Sequence, residues 1–537
     1  MSETVPLLGV VIFLAVGSGL TWKMARVWYF RRIERLQSQV RHRDGLSVPG
    51  GEPQFLFGHL PDIYRSHNRL AGYLSFHHRF GEFIQIFWLW KQQISVSSYP
   101  IAQQILQAHA ANYQKYPPNA LLKKLFGSSV LTSHGEDWRR YRLLTQAALA
   151  PQRLPDFSDR IVSCTKTLVQ QWEAQIQTAS DGEIVTDIYP DLTALCLDII
   201  GAIALGDELG ALQGEAAHFL ENIQLIITQS TLPQHQFAHW WRHVPLQSNR
   251  RLAQAFAEVD AFLENLIQAR RTQGVASGEG KHLLDRLLHA TQWAEESVTP
   301  LSDREVRDNL LAVILNGYES AATCLALTLD RLARHPEVTA RAQMEVDRCF
   351  NLGPLQVERV GELPYLECVL QEALRLSPPM TGIQRVSVGA DVLAGWSLPA
   401  QQVIGIALMP LHQDAARFGP DPQLFRPERY RHEDTSRNDL NRSKSQCPLR
   451  RVIRSGKQQN GIHWPLAFGD GPRRCVGEAL AMVQMLTVLA FLLRHFEFSA
   501  VPEHETDVDL GKFGLFISMV PKTGVYLCLR QRHLTDD

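Results

Sequence analysis

The chain has 537 residues, enough for one large domain or several average ones, and its 45% hydrophobic and 20% charged content is ordinary for a globular protein. A formal net charge of -1 excludes a general attraction to nucleic acid or acidic surfaces, so partners must follow from local patches. None of the eight cysteines forms a C-x-x-C pair, which excludes a zinc ribbon and a thioredoxin-type site. Cysteines spread this thinly are typical of reduced thiols in a cytosol-facing protein.

The N-terminus differs in kind from the rest of the chain. Residues 4–22 carry no charge, and as a helix they would extend roughly 28 Å, close to the hydrocarbon thickness of a bilayer. Only Glu3 precedes them, whereas basic residues follow at Lys23, Arg26, Arg31, Arg32 and Arg35. This charge order predicts an uncleaved transmembrane anchor over residues 1–30, with the remaining chain on the cytosolic side. A cleaved signal peptide and an interfacial helix stay open as alternatives.

A basic, Gln-rich stretch follows and then a break at Pro49, Gly50 and Gly51, so residues 31–52 are interpreted as a hinge. Beyond it the sequence contains no second linker, no repeat and no low-complexity run. Residues 53–537 are therefore predicted to form one large domain.

The predicted elements of that domain are mostly helical. A hairpin is expected over residues 83–98, with β-forming residues on both sides of residues 91–93. Extended segments are expected over residues 386–404 and 515–529. Helical patterns occupy residues 160–176, 191–204, 250–272, 302–335, 338–350 and 478–494. The predicted fold class is mainly α with small β-sheets.

The most informative segment is residues 468–477, which read Phe-Gly-Asp-Gly-Pro-Arg-Arg-Cys-Val-Gly. A long apolar helix is predicted just beyond Cys475, and a helix N-terminus offers unpaired N–H groups and partial positive charge. Both stabilise a thiolate, the form of cysteine that binds metal. Gly477 lets the backbone pass close beside a flat ring, and Phe468 can shield the sulfur from water.

This segment fits F-x-x-G-x-R-x-C-x-G, and it resembles the haem-binding motif of the cytochrome P450 family. The resemblance implies the cytochrome P450 fold and a haem b whose iron is held by the Cys475 thiolate. Glu372 and Arg375 match the family's E-x-x-R helix motif, and residues 425–430 resemble its F-x-P-E-R-F motif with Tyr430 in the last position. The resemblance places Arg429 with Glu372 and Arg375 in a buried charge cluster.

Further matches concern the haem propionates, which are anionic and need fixed donors. Trp138 and Arg142 resemble the family's W-x-x-x-R helix. By resemblance, Trp138, Arg142, Arg385 and Arg473 are the propionate partners. Together with Phe468 and Gly477, they form the expected cofactor-binding set.

The long predicted helix contains Glu319 and Ser320, where the family usually has an acid followed by a threonine. The resemblance implies that this acid and hydroxyl lie above the iron and pass protons toward oxygen. Asn316 replaces a small residue and Ala321 replaces a second hydroxyl. These departures leave the details of proton delivery and the reaction type open.

The segments that would face substrate by resemblance are mostly apolar and aromatic, which favours a hydrophobic molecule: residues 116–130, 237–244, 311–320, 380–383 and 512–516. Residues 374–430 look most like membrane-bound fatty-acid, terpenoid or carotenoid hydroxylases. With no flavin or iron–sulfur motif in the sequence, electrons are expected from a separate reductase or ferredoxin. Residues 431–460 hold eight Lys or Arg against three acids, and are either a donor-docking patch or a solvated insertion.

The main prediction is therefore a monooxygenase that inserts one oxygen atom of O2 into a hydrophobic substrate. One alternative is a haem-thiolate isomerase or dehydratase acting on a hydroperoxide, which needs neither an electron donor nor a proton relay. Another is a non-catalytic haem-binding protein, against which Glu319 and Ser320 argue. No nucleic-acid partner is expected.

Overall fold

The computed structural model describes residues 19–65, 69–230, 232, 244–273, 282–289, 299–430, 465–502, 504, 508–510, 519–521 and 523–532. Most of the predicted anchor (residues 1–18), the basic insertion 431–460 and the apolar segments 237–243 and 512–516 lie outside the described residues.

Helices dominate the described chain. In chain order they are α1 (Gly19–Gln39), α2 (Leu60–Tyr64), α3 (Arg69–Phe80), α4 (Tyr99–Gln103), α5 (Ala120–Phe126), α6 (Gly135–Ala148), α7 (Ser158–Thr178), α8 (Ile188–Leu205), α9 (Ala217–Ser230), α10 (Gln247–Gln273), α11 (Leu283–Leu288), α12 (Asp303–Ala333), α13 (Pro336–Asn351), α14 (Pro364–Leu376), α15 (Leu408–His412), α16 (Ala415–Phe418) and α17 (Glu478–His495). The predicted helices correspond to α7, α8, α10, α12, α13 and α17, with ends that differ by at most three residues.

The strands are short and form small sheets. They are β1 (Arg41–His42), β2 (Phe83–Trp88), β3 (Lys91–Val96), β4 (Tyr113–Lys115), β5 (Glu183–Asp187), β6 (Gly382–Ser387), β7 (Asp391–Leu393), β8 (Trp396–Leu398), β9 (Val403–Ala407), β10 (Phe496–Ala500), β11 (Val508–Leu510), β12 (Met519–Pro521) and β13 (Tyr526–Gln531). The sheet orders are β2-β3-β9-β6-β4, β1-β8-β7, β10-β13-β5 and β11-β12. A mainly helical protein with small sheets is thus confirmed.

The chain divides into two compact units, residues 1–116 with 383–411, and residues 117–382 with 412–537. The first unit holds the five-stranded sheet and the β1-β8-β7 sheet, and the second holds most of the helices. The predicted domain boundaries stay a prediction.

The core of the second unit is built around α12. Ser302 caps the helix in a capping box with Glu305, which satisfies the first free N–H groups. Its middle packs against α8 so closely that a Cβ on Gly317 would lie 2.7 Å from Ile200 Cγ1. Glycine at this position therefore sets the separation of the two helices, and Pro336 begins the next helix, α13.

The predicted hairpin exists in the first unit, but its turn lies two residues earlier than expected. Trp88 pairs with Lys91, so residues 91–93 belong to β3 rather than to the turn. Gln92 and Gln93 are buried there because other side chains bind them: Gln92 donates to Gln85 Oε1 at 2.9 Å, and Gln93 Oε1 accepts from Trp88 Nε1 at 3.0 Å. The strand preferences of the individual residues do not predict these side-chain contacts.

Helix α1 crosses the predicted boundary between anchor and hinge at residue 30. Tyr29 is fully buried, and the single hydrogen of its hydroxyl is shared between the backbone oxygens of Gln54 and Leu89, which lie 2.9 and 3.0 Å from the hydroxyl oxygen. Ile33 and Phe87 complete this small cluster. The C-terminal half of α1 is therefore part of the folded first unit.

Three of the described helices, α8, α12 and α17, are long and apolar enough to cross a membrane by length and composition. Their apolar stretches are 72–78% buried within the protein. These helices supply much of the core of the second unit, because buried residues surround them on most sides.

Candidate active site

Cys475 lies in a loop closed by hydrogen bonds of its own backbone. The Cys475 N–H donates to Phe468 O at 2.9 Å, and Asp470 Oδ1 accepts from the Gly471 N–H at 2.7 Å. Gly469 and Gly471 have φ angles of 72° and 68°, which favour glycine. Among the described cysteines, Cys475 alone is exposed. The loop therefore presents one sulfur on a fixed backbone.

The N-terminus of α17 follows at once, with Gly477 as the residue before the helix. A Cβ added to Gly477 would meet no atom within 4 Å, so space is open beside this backbone. The partial positive charge of a helix N-terminus favours a thiolate at Cys475.

Two arginines add positive charge near this sulfur. Arg142 Nη1 donates to the backbone oxygen of Arg474. Burial lowers the pKa of Arg142, and the charge of Cys475 acts in the opposite direction. Hydrogen bonds to Glu478 at 2.5 and 2.7 Å raise the pKa of Arg474, with a further contribution from Cys475. Both guanidiniums thus lie close enough to Cys475 for their charge to favour an anionic sulfur.

Trp138 lies on α6 one turn before Arg142, and its ring contacts Arg473 of the cysteine loop. The Arg473 guanidinium lies 3.9 Å from the Trp138 ring centroid, and its Nη2 donates to Ser133 O at 3.0 Å. Cation–π contact and a backbone acceptor together fix the orientation of this guanidinium. The second unit thus brings together Trp138, Arg142, Arg473 and Cys475.

The acid and the alcohol lie in the middle of α12. Burial raises the pKa of Glu319 to about 8. Ser320 Oγ donates to Asn316 O at 2.9 Å, and Asn316 itself is exposed. A carboxyl with a pKa near neutrality holds and releases a proton at working pH, as proton transfer requires.

Two residues near Glu319 were not identified from the sequence. Burial and the charge of Glu319 raise the pKa of Tyr189 to about 12. The Tyr189 hydroxyl lies 3.4 Å from Thr323 Oγ1, one helical turn beyond Glu319. No local pattern signals Tyr189, because it lies on α8 far away in sequence.

The charge cluster is buried at the end of α14. Glu372 and Arg375 are both 0% exposed, and two 2.7 Å hydrogen bonds join them. Arg429 Nε donates to Glu372 Oε1 at 3.2 Å. Side chains three residues apart on a helix lie on the same face, so the pairing of Glu372 with Arg375 follows from their spacing in the sequence.

His412 also joins this cluster and was missed by sequence reasoning. Its Nδ1 lies 3.1 Å from Arg375 O, and its backbone oxygen accepts from Arg375 Nη1 at 2.8 Å. Its Nε2 accepts from the Leu466 N–H at 2.9 Å. Burial lowers the pKa of His412 to about 3.

The family model for cytochrome P450 matches residues 48–529, most of the chain. The chain belongs to the cytochrome P450 family. Cytochrome P450 716A67 from Medicago truncatula is 24% identical over 97% of both chains, and cytochrome P450 4d2 from Drosophila melanogaster is 24% identical over 96% of this chain and 99% of its own. Self-sufficient cytochrome P450 monooxygenase CYP505E5 from Aspergillus kawachii is 26% identical over 85% of this chain, which spans only 41% of that relative's length.

A cytochrome P450 is a haem-thiolate protein, and the residues of the second unit fit that cofactor. Cys475 offers an accessible sulfur, the backbone at Gly477 leaves room for a ring, and Arg142 and Arg473 are cations close to the sulfur loop. Trp138 supplies an indole N–H as a further donor.

Arg385 lies in the other compact unit, on β6, where it pairs with Lys115 of β4. It is 7% exposed, and its Nη1 donates to Gln384 O at 2.9 Å. Burial lowers the pKa of Arg385 to about 10, since a desolvated cation is disfavoured unless an anion accompanies it.

Of the segments predicted to face substrate, residues 127–130 are held against α12. The Ser128 N–H donates to Asp308 Oδ2 and the Val130 N–H donates to Asn309 Oδ1, both at 2.8 Å. A Cβ on Gly127 would overlap the Asp308 carboxylate, so glycine is required where this loop meets the helix.

Proposed function

We propose that this cytochrome P450 is a monooxygenase that converts a hydrophobic substrate RH, O2, two electrons and two protons into ROH and water. The observation that carries the proposal is Cys475, an exposed sulfur at the N-terminus of α17 with Arg142 and Arg474 close by. When bound, haem with a thiolate ligand supplies the activation of oxygen.

Cys475 is the proposed ligand of the haem iron. Arg142, Arg473, Arg385 and Trp138 are assigned to the two propionates, because fixed guanidinium and indole donors match carboxylates. Phe468 limits water at the sulfur, and Gly477 leaves space for the ring. Buried Glu372, Arg375 and Arg429 hold the adjoining backbone, a structural role that specifies geometry more than it adds stability.

Glu319 and Ser320 are proposed to move protons to the oxygen site. Glu319, with its pKa raised to about 8, remains largely protonated at neutral pH and can give up that proton. Ser320 holds one hydrogen and two acceptor positions, so it can receive a proton while it releases its own.

The substrate class and the surroundings are further parts of the proposal. A fatty-acid, terpenoid or carotenoid-like molecule suits the apolar composition of the candidate substrate segments. We propose that electrons come from a protein outside this sequence, a reductase or ferredoxin, and that residues 1–30 attach the enzyme to a membrane with the catalytic part on the cytosolic side. Exposed Trp22, Met24, Val27 and Trp28 on α1 support a membrane-facing N-terminus.

A haem-thiolate isomerase or dehydratase is the second candidate, and Asn316 is the observation in its favour. Asn316 is exposed one helical turn before Ser320, and its amide nitrogen donates one hydrogen to Ala312 O at 2.7 Å, which leaves the second hydrogen to orient a peroxide group of the substrate. Such an enzyme receives its O–O bond within the substrate and uses no electron donor.

The experiment begins with the purified protein reduced under carbon monoxide. Thiolate ligation gives a strongly red-shifted absorption band, which Cys475→His should abolish while haem is retained. Persistence of the band in Cys475→His would overturn the assignment of the ligand. Apolar compounds that displace the iron's water then identify candidate substrates.

Ser320→Ala and Asn316→Ala separate the two candidate reactions. In a monooxygenase, Ser320→Ala should lower product formed per reductant consumed and release hydrogen peroxide, while haem content is unchanged. Normal coupling in Ser320→Ala, with turnover lost in Asn316→Ala and no need for reductant, would establish the isomerase instead.

A further inference from the structure

His412 is a fully buried histidine whose two ring nitrogens have different, assignable roles. The Leu466 N–H lies 2.9 Å from Nε2, so Nε2 is the acceptor and carries no proton. Nδ1 must then carry the proton and donate it to Arg375 O, 3.1 Å away. The imidazole is therefore neutral and held in one tautomer.

One side of this ring belongs to the charge cluster. Arg375 uses all five of its N–H groups: two on Glu372, two on the backbone oxygens of His412 and Pro422 at 2.8 and 2.6 Å, and one on Leu424 O at 3.3 Å. A guanidinium with every donor engaged has little freedom to move. His412 is thus attached to a rigid part of the second unit.

The other side of the ring reaches the cysteine loop. Leu466 begins a single turn of 3-10 helix that ends at Phe468, and the Gly469 N–H donates back to Leu466 O at 2.8 Å. The Phe468 oxygen in turn accepts from the Cys475 N–H. Moving Leu466 would therefore move the acceptor that orients the backbone of Cys475.

We propose that His412 is a positioning residue for the thiolate, which transmits the rigidity of the Glu372–Arg375 cluster through Leu466 and Phe468 to Cys475. This inference rests on the proposed role of Cys475 as the iron ligand. Three hydrogen bonds support it: His412 Nδ1–H to Arg375 O, Leu466 N–H to His412 Nε2, and Cys475 N–H to Phe468 O. Because both ring nitrogens are engaged, the His412 ring is held in one orientation between Arg375 and Leu466.

Two substitutions separate the two sides of the ring. The amide oxygen of glutamine reaches about as far as Nε2, so His412→Gln keeps an acceptor for the Leu466 N–H. Asparagine reaches only as far as Nδ1, so His412→Asn keeps the donor to Arg375 O and loses the bond to Leu466. His77→Asn is the matched control, because His77 is also buried and its ring nitrogens contact Ser95 Oγ at 2.8 Å and Gly81 O at 3.1 Å.

Haem content, the ferrous carbon-monoxide spectrum and the reduction potential are measured on each protein. His412→Asn should lose more than half of the red-shifted band at equal haem content and shift its potential upward, because thiolate donation weakens. His412→Gln and His77→Asn should keep most of the band and the original potential.

Three results would overturn the inference. Equal bands in all variants would mean that His412 does not position the loop. Parallel loss of haem and helix content in both His412 variants would assign it to folding alone. A wild-type protein without the red-shifted band would remove the proposed function itself, an outcome distinct from the first two because no substitution is involved.

Discussion

The buried cluster around Glu372 makes a prediction whose size follows from its geometry. The carboxylate accepts two bonds from Arg375, one from Arg429 and one from the Arg426 N–H, and it is 0% exposed. Glu372→Gln keeps the shape of the side chain but leaves two guanidiniums without their counter-charge. Leaving a buried charge uncompensated costs about 3–5 kcal/mol.

Glu362→Gln is the matched control. Glu362 also pairs with an arginine three residues away, Arg359 at 2.7 Å, but its side chain is 44% exposed. Such a pair contributes about 0–1 kcal/mol. Unfolding in urea, followed by circular dichroism, should place the Glu372→Gln midpoint lower by about 1–1.7 M if the slope is about 3 kcal/mol per M. Equal midpoints for the two variants would refute the argument from burial.

Three further predictions concern acid, a buried carboxyl and the N-terminus. The pKa of His412 falls from 6.5 to about 3 on folding, so the unfolded state takes up the proton first as the pH is lowered. The free energy of unfolding should therefore decrease below pH 6.5, by about 2 kcal/mol at pH 5. The free energy of unfolding of His412→Gln should depend less on pH in this range. Glu319 should show the opposite pH dependence, because its pKa in the folded state, about 8, lies above the ordinary value of 4.5. The free energy of unfolding should therefore fall as the pH rises from 4.5 to 8. Glu319→Gln should unfold at a higher denaturant concentration than the wild type at pH 8 but not at pH 4. Deleting residues 1–18 should release the protein from membranes without loss of stability, whereas deleting residues 1–30 removes buried Tyr29 and should cost about 3–5 kcal/mol in denaturant unfolding.

The sequence could predict whatever depends on short spacing. Glu372 and Arg375 are one helical turn apart, so their pairing needed only a helix over residues 364–376. Long, mostly apolar stretches likewise located α12 and α17 to within two residues. Trp138 and Arg142 share one face of α6 for the same reason.

Contacts made between distant segments could not be predicted in this way. His412 meets Leu466 across 54 residues and Tyr189 meets Thr323 across 134, and neither pair has a local signal. The hairpin turn lies before residue 91 because Gln92 and Gln93 are buried in β3, where their side chains form hydrogen bonds with Gln85 and Trp88. Tertiary structure thus decides where local preference is weak.

The single hydrogen of Ser320 limits how the proposed relay can operate. That hydrogen is engaged with Asn316 O, so the oxygen first acts as an acceptor toward any donor beside it. When Ser320 Oγ accepts a proton, the hydroxyl must break its hydrogen bond to Asn316 O before it can pass its own hydrogen to dioxygen. In the proposed relay, the bond to Asn316 O would hold the Ser320 hydroxyl in its resting orientation, and Glu319, protonated at neutral pH, would be the group that recharges it. Release of the Ser320 hydrogen therefore requires rotation of its hydroxyl away from Asn316 O.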